Sequence, residues 1–179
     1  MKALKIFISI VAVLLLTLVG VGLALPGTWE VNRSLVVPAE PDEVFGLLDS
    51  VEGWSSWAAI GAVDGSISGP ARGVGATLTW DSQEWGDGRW QLTEVESGRS
   101  VAYEVAVEDG AMITWGRVTL VPEGEGTRVE WTESGDFGWN PFLAYMVLGM
   151  DRMQGREMEK GLTELRLHLE TYDPPPPSR

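Results

Sequence analysis

The stretch "VNRSLVVPAEPDEVFGLLDSVEGWSSW", Val31 to Trp57, decides the fold because its hydrophobic period changes midway. In "TWEVNRSLVV" the apolar Trp29, Val31, Leu35 and Val37 alternate with polar residues, which predicts a strand with one dry face, although Arg33 interrupts that face. Pro38 stops the strand. "PAEPDEVFGLLDSVEGW" then predicts a helix: Pro41 suits a first-turn position, Asp42 and Glu43 favour the positive end of the helix dipole, and Val44, Phe45, Leu47 and Leu48 form an apolar side. Around Gly53 the helix is expected to break into a second short turn. Trp54 and Trp57 share one side of that turn, being three residues apart.

Downstream, glycine-rich punctuation recurs at Gly69-Pro70, Asp87-Gly88, Ser97-Gly98, Asp109-Gly110 and Pro122 to Gly126. These are hairpin signals and imply consecutive antiparallel strands. Between them, "SVAYEVAVE" sets Val101, Tyr103, Val105 and Val107 against Ala102, Glu104, Ala106 and Glu108. One face is dry and one wet. Trp90 and Leu92 in "GRWQL", and Val129 and Trp131 in "TRVEWTE", repeat the pattern, giving seven strands with the first.

The last element is predicted as a long helix capped by Asn140, with Pro141 at its first position, running to about Glu170. Phe142, Met146, Met150, Met153, Met158, Leu162, Leu165 and Leu169 drift along one broad stripe. Gly149, Gly155 and Gly161 interrupt it at about 1 kcal/mol each relative to alanine, which implies close approach or spare room. The final residues, 173–179, read as a disordered Pro-rich tail.

Composition bounds the function. Without cysteine there are no disulfides, no thiol catalysis and no thiolate zinc site, and one histidine leaves little for other metals, so no cofactor and no metal are expected. From Pro26 onward the chain carries 11 basic and 26 acidic side chains, a net −15. Such a surface repels phosphate backbones, so nucleic acid is excluded as a partner. Ahead of it, "IFISIVAVLLLTLVGVGLAL", Ile6 to Leu25, is twenty residues without a charge, about the number a helix needs to cross a bilayer core. A cleaved signal peptide is the alternative, with Gly22 and Ala24 at the small-residue positions, but its apolar region is usually about 7–15 residues. The length favours an uncleaved anchor over residues 1–27. Lys2 and Lys5 before it, and the acidic bias after it, place the N-terminus in the cytoplasm and the domain outside a single-pass cytoplasmic membrane helix.

Strand, two short helices, six-stranded antiparallel meander and long terminal helix is an α+β, helix-grip order. In detail the chain resembles the SRPBCC, or START-like, superfamily, and within it the polyketide cyclase/dehydrase and lipid-transport proteins. The resemblance rests on the opening stretch, on "GTRVEWTESGD", and on "NPFLAYMVLGMDRMQGREMEKGLTELRLHLE". It covers about Trp29 to Tyr172, within a domain drawn as residues 28–172, and implies an apolar cavity between sheet and terminal helix.

The candidate ligand-binding residues follow. Met146, Met150 and Met153, with Met158, are adaptable side chains that suit either a cavity floor or plain core filling. Trp54 and Trp57 either glue the short helix to the sheet rim or cover the cavity mouth. Trp90, Trp131 and Tyr103 lie on dry strand faces, and the Tyr103 hydroxyl would orient a polar ligand head or satisfy a core hydrogen bond. Glu133 shares the parity of Trp131, although its place near a strand end favours solvation. His168 falls away from the expected cavity centre, and Arg152, Arg156 and Glu159 read as a solvated charged face. No acid/base pair stands out, so the expected function is a membrane-tethered domain binding a lipid, isoprenoid or polyketide-like molecule. The alternative is a cyclase or dehydratase in the same cavity, and a third reading is a partner-binding domain using its acidic surface. Oligomeric state and ligand identity are not specified by the sequence.

Overall fold

The computed structural model describes residues 2–82 and 86–171. Helix α1, Lys2–Ala24, is followed by strand β1, Thr28–Val37; short helices α2, Pro41–Phe45, and α3, Val51–Ser55; and a 3₁₀ turn, Ala59–Ala62. Six strands follow: β2, Ser66–Ser68; β3, Thr77–Ser82; β4, Gly86–Glu96; β5, Ser100–Val107; β6, Met112–Glu123; β7, Gly126–Asp136. Helix α4, Ala144–Thr171, closes the fold. The seven strands form one antiparallel sheet in the order β1-β7-β6-β5-β4-β3-β2, so only the pairing of β1 with β7 is not between chain neighbours. The curved sheet and its long terminal helix make the α+β helix-grip architecture that the strand periodicity predicts. The Pro-rich tail expected over 173–179 lies outside the described residues.

Three local expectations are corrected. The break in the helical stretch falls before α3 rather than at Gly53: the Ser50 hydroxyl accepts the Gly53 N–H at 3.1 Å and caps α3, so Gly53 sits inside that helix. Asp87-Gly88 is not a turn but lies within β4, where Gly88 pairs with Trp80. A Cβ there would stand 2.9 Å from the Trp80 indole nitrogen, so glycine is required for that ring to lie across the strand. Asn140 does cap a turn, its Oδ1 accepting the Phe142 N–H at 2.9 Å, but the α-helix starts only at Ala144.

The core lies between the inner sheet face and α4. Val31, Val37, Leu92, Val101, Val118 and Val129 from the strands meet Met158, Leu162, Leu165 and Leu169 from the helix, all buried. Burying a side chain of this kind contributes about 1.5–3 kcal/mol. Arg33, the polar interruption of β1, reaches α4: its Nη1 donates to Asp151 Oδ1 at 3.0 Å and its Nε to Glu159 Oε1 at 2.6 Å. Gly155 makes that crossing possible, because a Cβ there would lie 2.5 Å from the guanidinium carbon. Gly161 serves Trp131 in the same way, at 2.9 Å. Two of the three helix glycines are thus close-approach sites; nothing in the structure explains Gly149.

Candidate ligand cavity

The two tryptophans of α3 and its following turn organise the site. Trp54 is buried, its indole N–H donating to the Leu48 carbonyl at 2.6 Å. Around its ring stand Trp57, Tyr103, Trp90 and Trp131, at centroid distances of 4.7, 5.0, 5.4 and 5.8 Å. Trp57 meets Trp131 edge-on at 5.7 Å, and Trp90 stacks on Tyr103 at 5.4 Å. Such pairs add about 0.5–1.5 kcal/mol each beyond simple burial. Trp54 is therefore a core residue that fixes α3 to the sheet, whereas Trp57 and the chain after it form the near wall of an open space.

That space is a cavity of about 540 Å³ between the 55–63 segment, the inner face of β3–β5 and β7, and α4. Its apolar wall comprises Trp57, Ile60, Trp80, Trp90, Val105 and Val107, with Met158 from the helix. Besides Ser55, Ser56 and the charged Glu157, Lys160 and Glu164, its polar side holds one buried hydrogen-bonded chain. Trp131 Nε1 donates to the Tyr103 hydroxyl at 2.8 Å, that hydroxyl donates to Glu133 Oε1, and Gln154 Nε2 donates to Glu133 Oε2.

Strand register explains how Tyr103 reaches a carboxylate two strands away. Tyr103 on β5 is paired with Gly116 on β6, and Gly116 with Glu133 on β7. With no side chain at Gly116, the tyrosine ring lies flat across the middle strand; a Cβ there would come no further than 2.5 Å from the ring carbon Cε2. Glu133 is 4 % exposed, which corrects the expectation of solvation: β7 continues past it to Asp136, and β1 covers its other side. Burial pushes the Glu133 carboxyl up from its ordinary value, with the bonds from Tyr103 and Gln154 partly restoring the charged form. Burial, then the neighbouring carboxylate, pushes the Tyr103 hydroxyl well up.

Of the residues singled out in the sequence, Trp54, Trp57, Trp90, Tyr103, Trp131 and Glu133 converge on this cavity. The three methionines do not, which corrects their placement. Met150 is buried in the core away from the cavity lining, and Met146 and Met153 are 41 % and 58 % exposed. At 3.6 residues per turn Met153 lies about 140° around the helix from Met158. The cavity face of α4 is instead Gln154, Glu157, Met158, Lys160, Gly161 and Glu164. Gln154 was missed, although it stands four residues from both Met150 and Met158 and so shares their side. Trp80, Ile60, Val63, Val105 and Val107 also line the space. Among the described residues no group of three or more His, Cys, Asp and Glu side chains could hold a metal ion.

The sequence pattern of the polyketide cyclase / dehydrase and lipid transport family matches residues 28–170. The chain belongs to this family. Solved structures share its fold at low identity. Truncated norcoclaurine synthase from Thalictrum flavum is similar with a TM-score of 0.60 and 13 % identity, over 82 % of this chain and 96 % of that one. The Aha1 dimer from Colwellia psychrerythraea gives a TM-score of 0.53 and 20 % identity, over 79 % of this chain and 96 % of that one. DynU16, from the dynemicin biosynthetic locus, gives 0.52 and 18 %, over 79 % of this chain and 47 % of that one. No curated protein matches the chain. The family is thus one of ligand-binding or cyclase/dehydrase-type SRPBCC domains, and α1 is the one described helix long and apolar enough to cross a membrane.

Proposed function

We propose that the protein is a membrane-tethered domain that holds a hydrophobic small molecule, a lipid, isoprenoid or polyketide-like chain, in its aromatic cavity. The cavity itself carries this reading: about 540 Å³ falls within the range of roughly 300–1,000 Å³ typical of small-molecule sites, and its sheet-side wall is aromatic and apolar around one buried polar chain, with the charged Glu157, Lys160 and Glu164 along α4. Trp57, Trp90 and Trp131 contact the apolar body, with Trp54 holding them in place. Tyr103, Glu133 and Gln154 face the polar end. The indole N–H groups of Trp57 and Trp80 are buried with no partner among the described residues, which favours a molecule carrying an acceptor oxygen.

Tethering rests on α1, with the N-terminus on the cytoplasmic side of the membrane and the domain outside, following the two lysines that precede the span. A tether suits a domain whose ligand dissolves in lipid. Native mass spectrometry of the full chain released from detergent tests the reading. One apolar molecule per chain, recoverable by extraction, is expected; a bare chain that also takes up no long-chain lipid overturns it.

A second reading, a cyclase or dehydratase, is favoured by Glu133 alone, a buried carboxyl on the cavity wall whose proton affinity is raised. In that reading Glu133 moves a proton on the bound molecule and Tyr103 positions it. Glu133→Gln would then abolish conversion of the extracted molecule while leaving its binding intact.

A further inference from the structure

The run "FGWNPFLAYMVLGM", Phe137 to Met150, has no charged side chain, in a domain that is otherwise strongly acidic. It crosses from the end of β7 into α4, and much of it faces outward. Trp139 is 88 % exposed, Leu148 70 %, Phe142 59 % and Met146 41 %. Large apolar groups exposed together mark a contact surface rather than a core.

Helix α1 lies directly beside this surface. The Tyr145 hydroxyl donates to the Leu18 carbonyl at 2.7 Å. Gly22 is the buried residue of α1, and a Cβ there would stand 2.9 Å from Pro141 Cβ. The turn leading into α4 therefore runs along the last two turns of α1, and the rest of α1 is bare, with Leu14, Leu15, Leu16 and Leu23 all exposed. Leu18 lies seven residues before the end of the uncharged span, about 10 Å of helix rise. If α1 crosses a bilayer, Tyr145 stands at that depth, and the exposed side chains around it continue the apolar surface of α1.

Resting on the tether reading above, we propose that the segment from Trp139 to Leu148 is seated in the outer interface of the bilayer that α1 crosses. The domain is then held at two adjoining points and cannot turn freely about α1. Trp139 and Tyr145 are the side chains that membrane interfaces favour, and Phe142, Met146 and Leu148 supply apolar area beside them. Asp136 and Asp151, both exposed, flank the uncharged run. A second copy of the chain is a weaker occupant, because it would bring another domain of net −15 against this one.

The chain has no cysteine, so single cysteines carrying an environment-sensitive fluorophore can be placed at will. The full chain is reconstituted in phosphatidylcholine vesicles, and quenching by brominated acyl chains is read at Leu14→Cys, Phe142→Cys, Leu148→Cys and Leu167→Cys. The expected result is loss of most of the emission at Leu14, Phe142 and Leu148, and none at Leu167, which is exposed toward the far end of α4. Quenching at Leu14 without quenching at Phe142 and Leu148 overturns the seating and leaves the tether standing. Blue-shifted but unquenched emission at Phe142 and Leu148 overturns it in favour of contact between copies. No quenching at Leu14 overturns the tether and the seating together.

Discussion

Alanine at Gly116 places a methyl group where the Tyr103 ring now lies, no further than 2.5 Å from its Cε2 carbon. The ring is packed between Trp54 and Trp90 and is 3 % exposed, so it has little room to yield. Overpacking of this kind costs about 1–3 kcal/mol, and displacing the hydroxyl removes a bond to the buried Glu133 carboxylate worth about 1.5–3 kcal/mol. The combined loss of about 2.5–6 kcal/mol corresponds to a fall in Tm of about 5–24 °C for a chain of this size. The assay is thermal unfolding of the full chain in detergent, in the wild-type and Tyr103→Leu backgrounds. With leucine at position 103 there is no ring to strike, and Gly116→Ala is expected to be neutral or stabilising by up to about 0.5 kcal/mol. Equal losses in both backgrounds, or no loss in the wild type, would refute the account of how Tyr103 reaches Glu133.

Because burial raises the Glu133 carboxyl above its ordinary 4.5, the folded state holds that proton more tightly than the unfolded state does. Stability from this group is greatest at acid pH and is lost as pH climbs from about 4.5 through the raised folded value; Glu133→Gln should flatten that slope in a Tm-against-pH series. Trp54→Phe leaves the Leu48 carbonyl without its indole donor and should cost about 1–3 kcal/mol, measured by denaturant unfolding. Thr127→Val removes the buried bond from Thr127 Oγ1 to the Ala39 carbonyl, 2.7 Å long, and should lower stability by about 1–3 kcal/mol in the same measurement.

Strand periodicity and turn chemistry made the sheet and its terminal helix legible, since both are local properties: Val101, Tyr103, Val105 and Val107 alternate in sequence and share one face in space. The glycines were harder, because their use is tertiary. Gly88 reads as a turn and Gly53 as a helix break, yet one lies under Trp80 and the other packs within α3, where a Cβ would stand 2.6 Å from the Leu47 carbonyl oxygen. Gly116 gives no sign in sequence that it connects Tyr103 to Glu133. Trp90, Tyr103, Trp131 and Glu133 followed from strand parity and Trp54 and Trp57 from their three-residue spacing, whereas Trp80, beside the Gly88 read as a turn, did not. Nor did the methionine half, because a stripe drawn through every methionine is wider than the helix face that meets the cavity. The first turns of α4 run past the cavity toward α1, which is why Met146 is exposed.

The central claim is that the space bounded by Trp57, Val105 and Glu133 takes an apolar ligand. Titrating a fluorescent fatty-acid analogue into the full chain, with energy transfer from its tryptophans as the signal, tests this most directly when wild type is compared with Val105→Trp. Val105 lines the cavity from β5, so an indole there fills ligand space. Saturable transfer in the wild type, lost in Val105→Trp at unchanged Tm, is the predicted result. No transfer in the wild type, or transfer undiminished in Val105→Trp, would contradict the account.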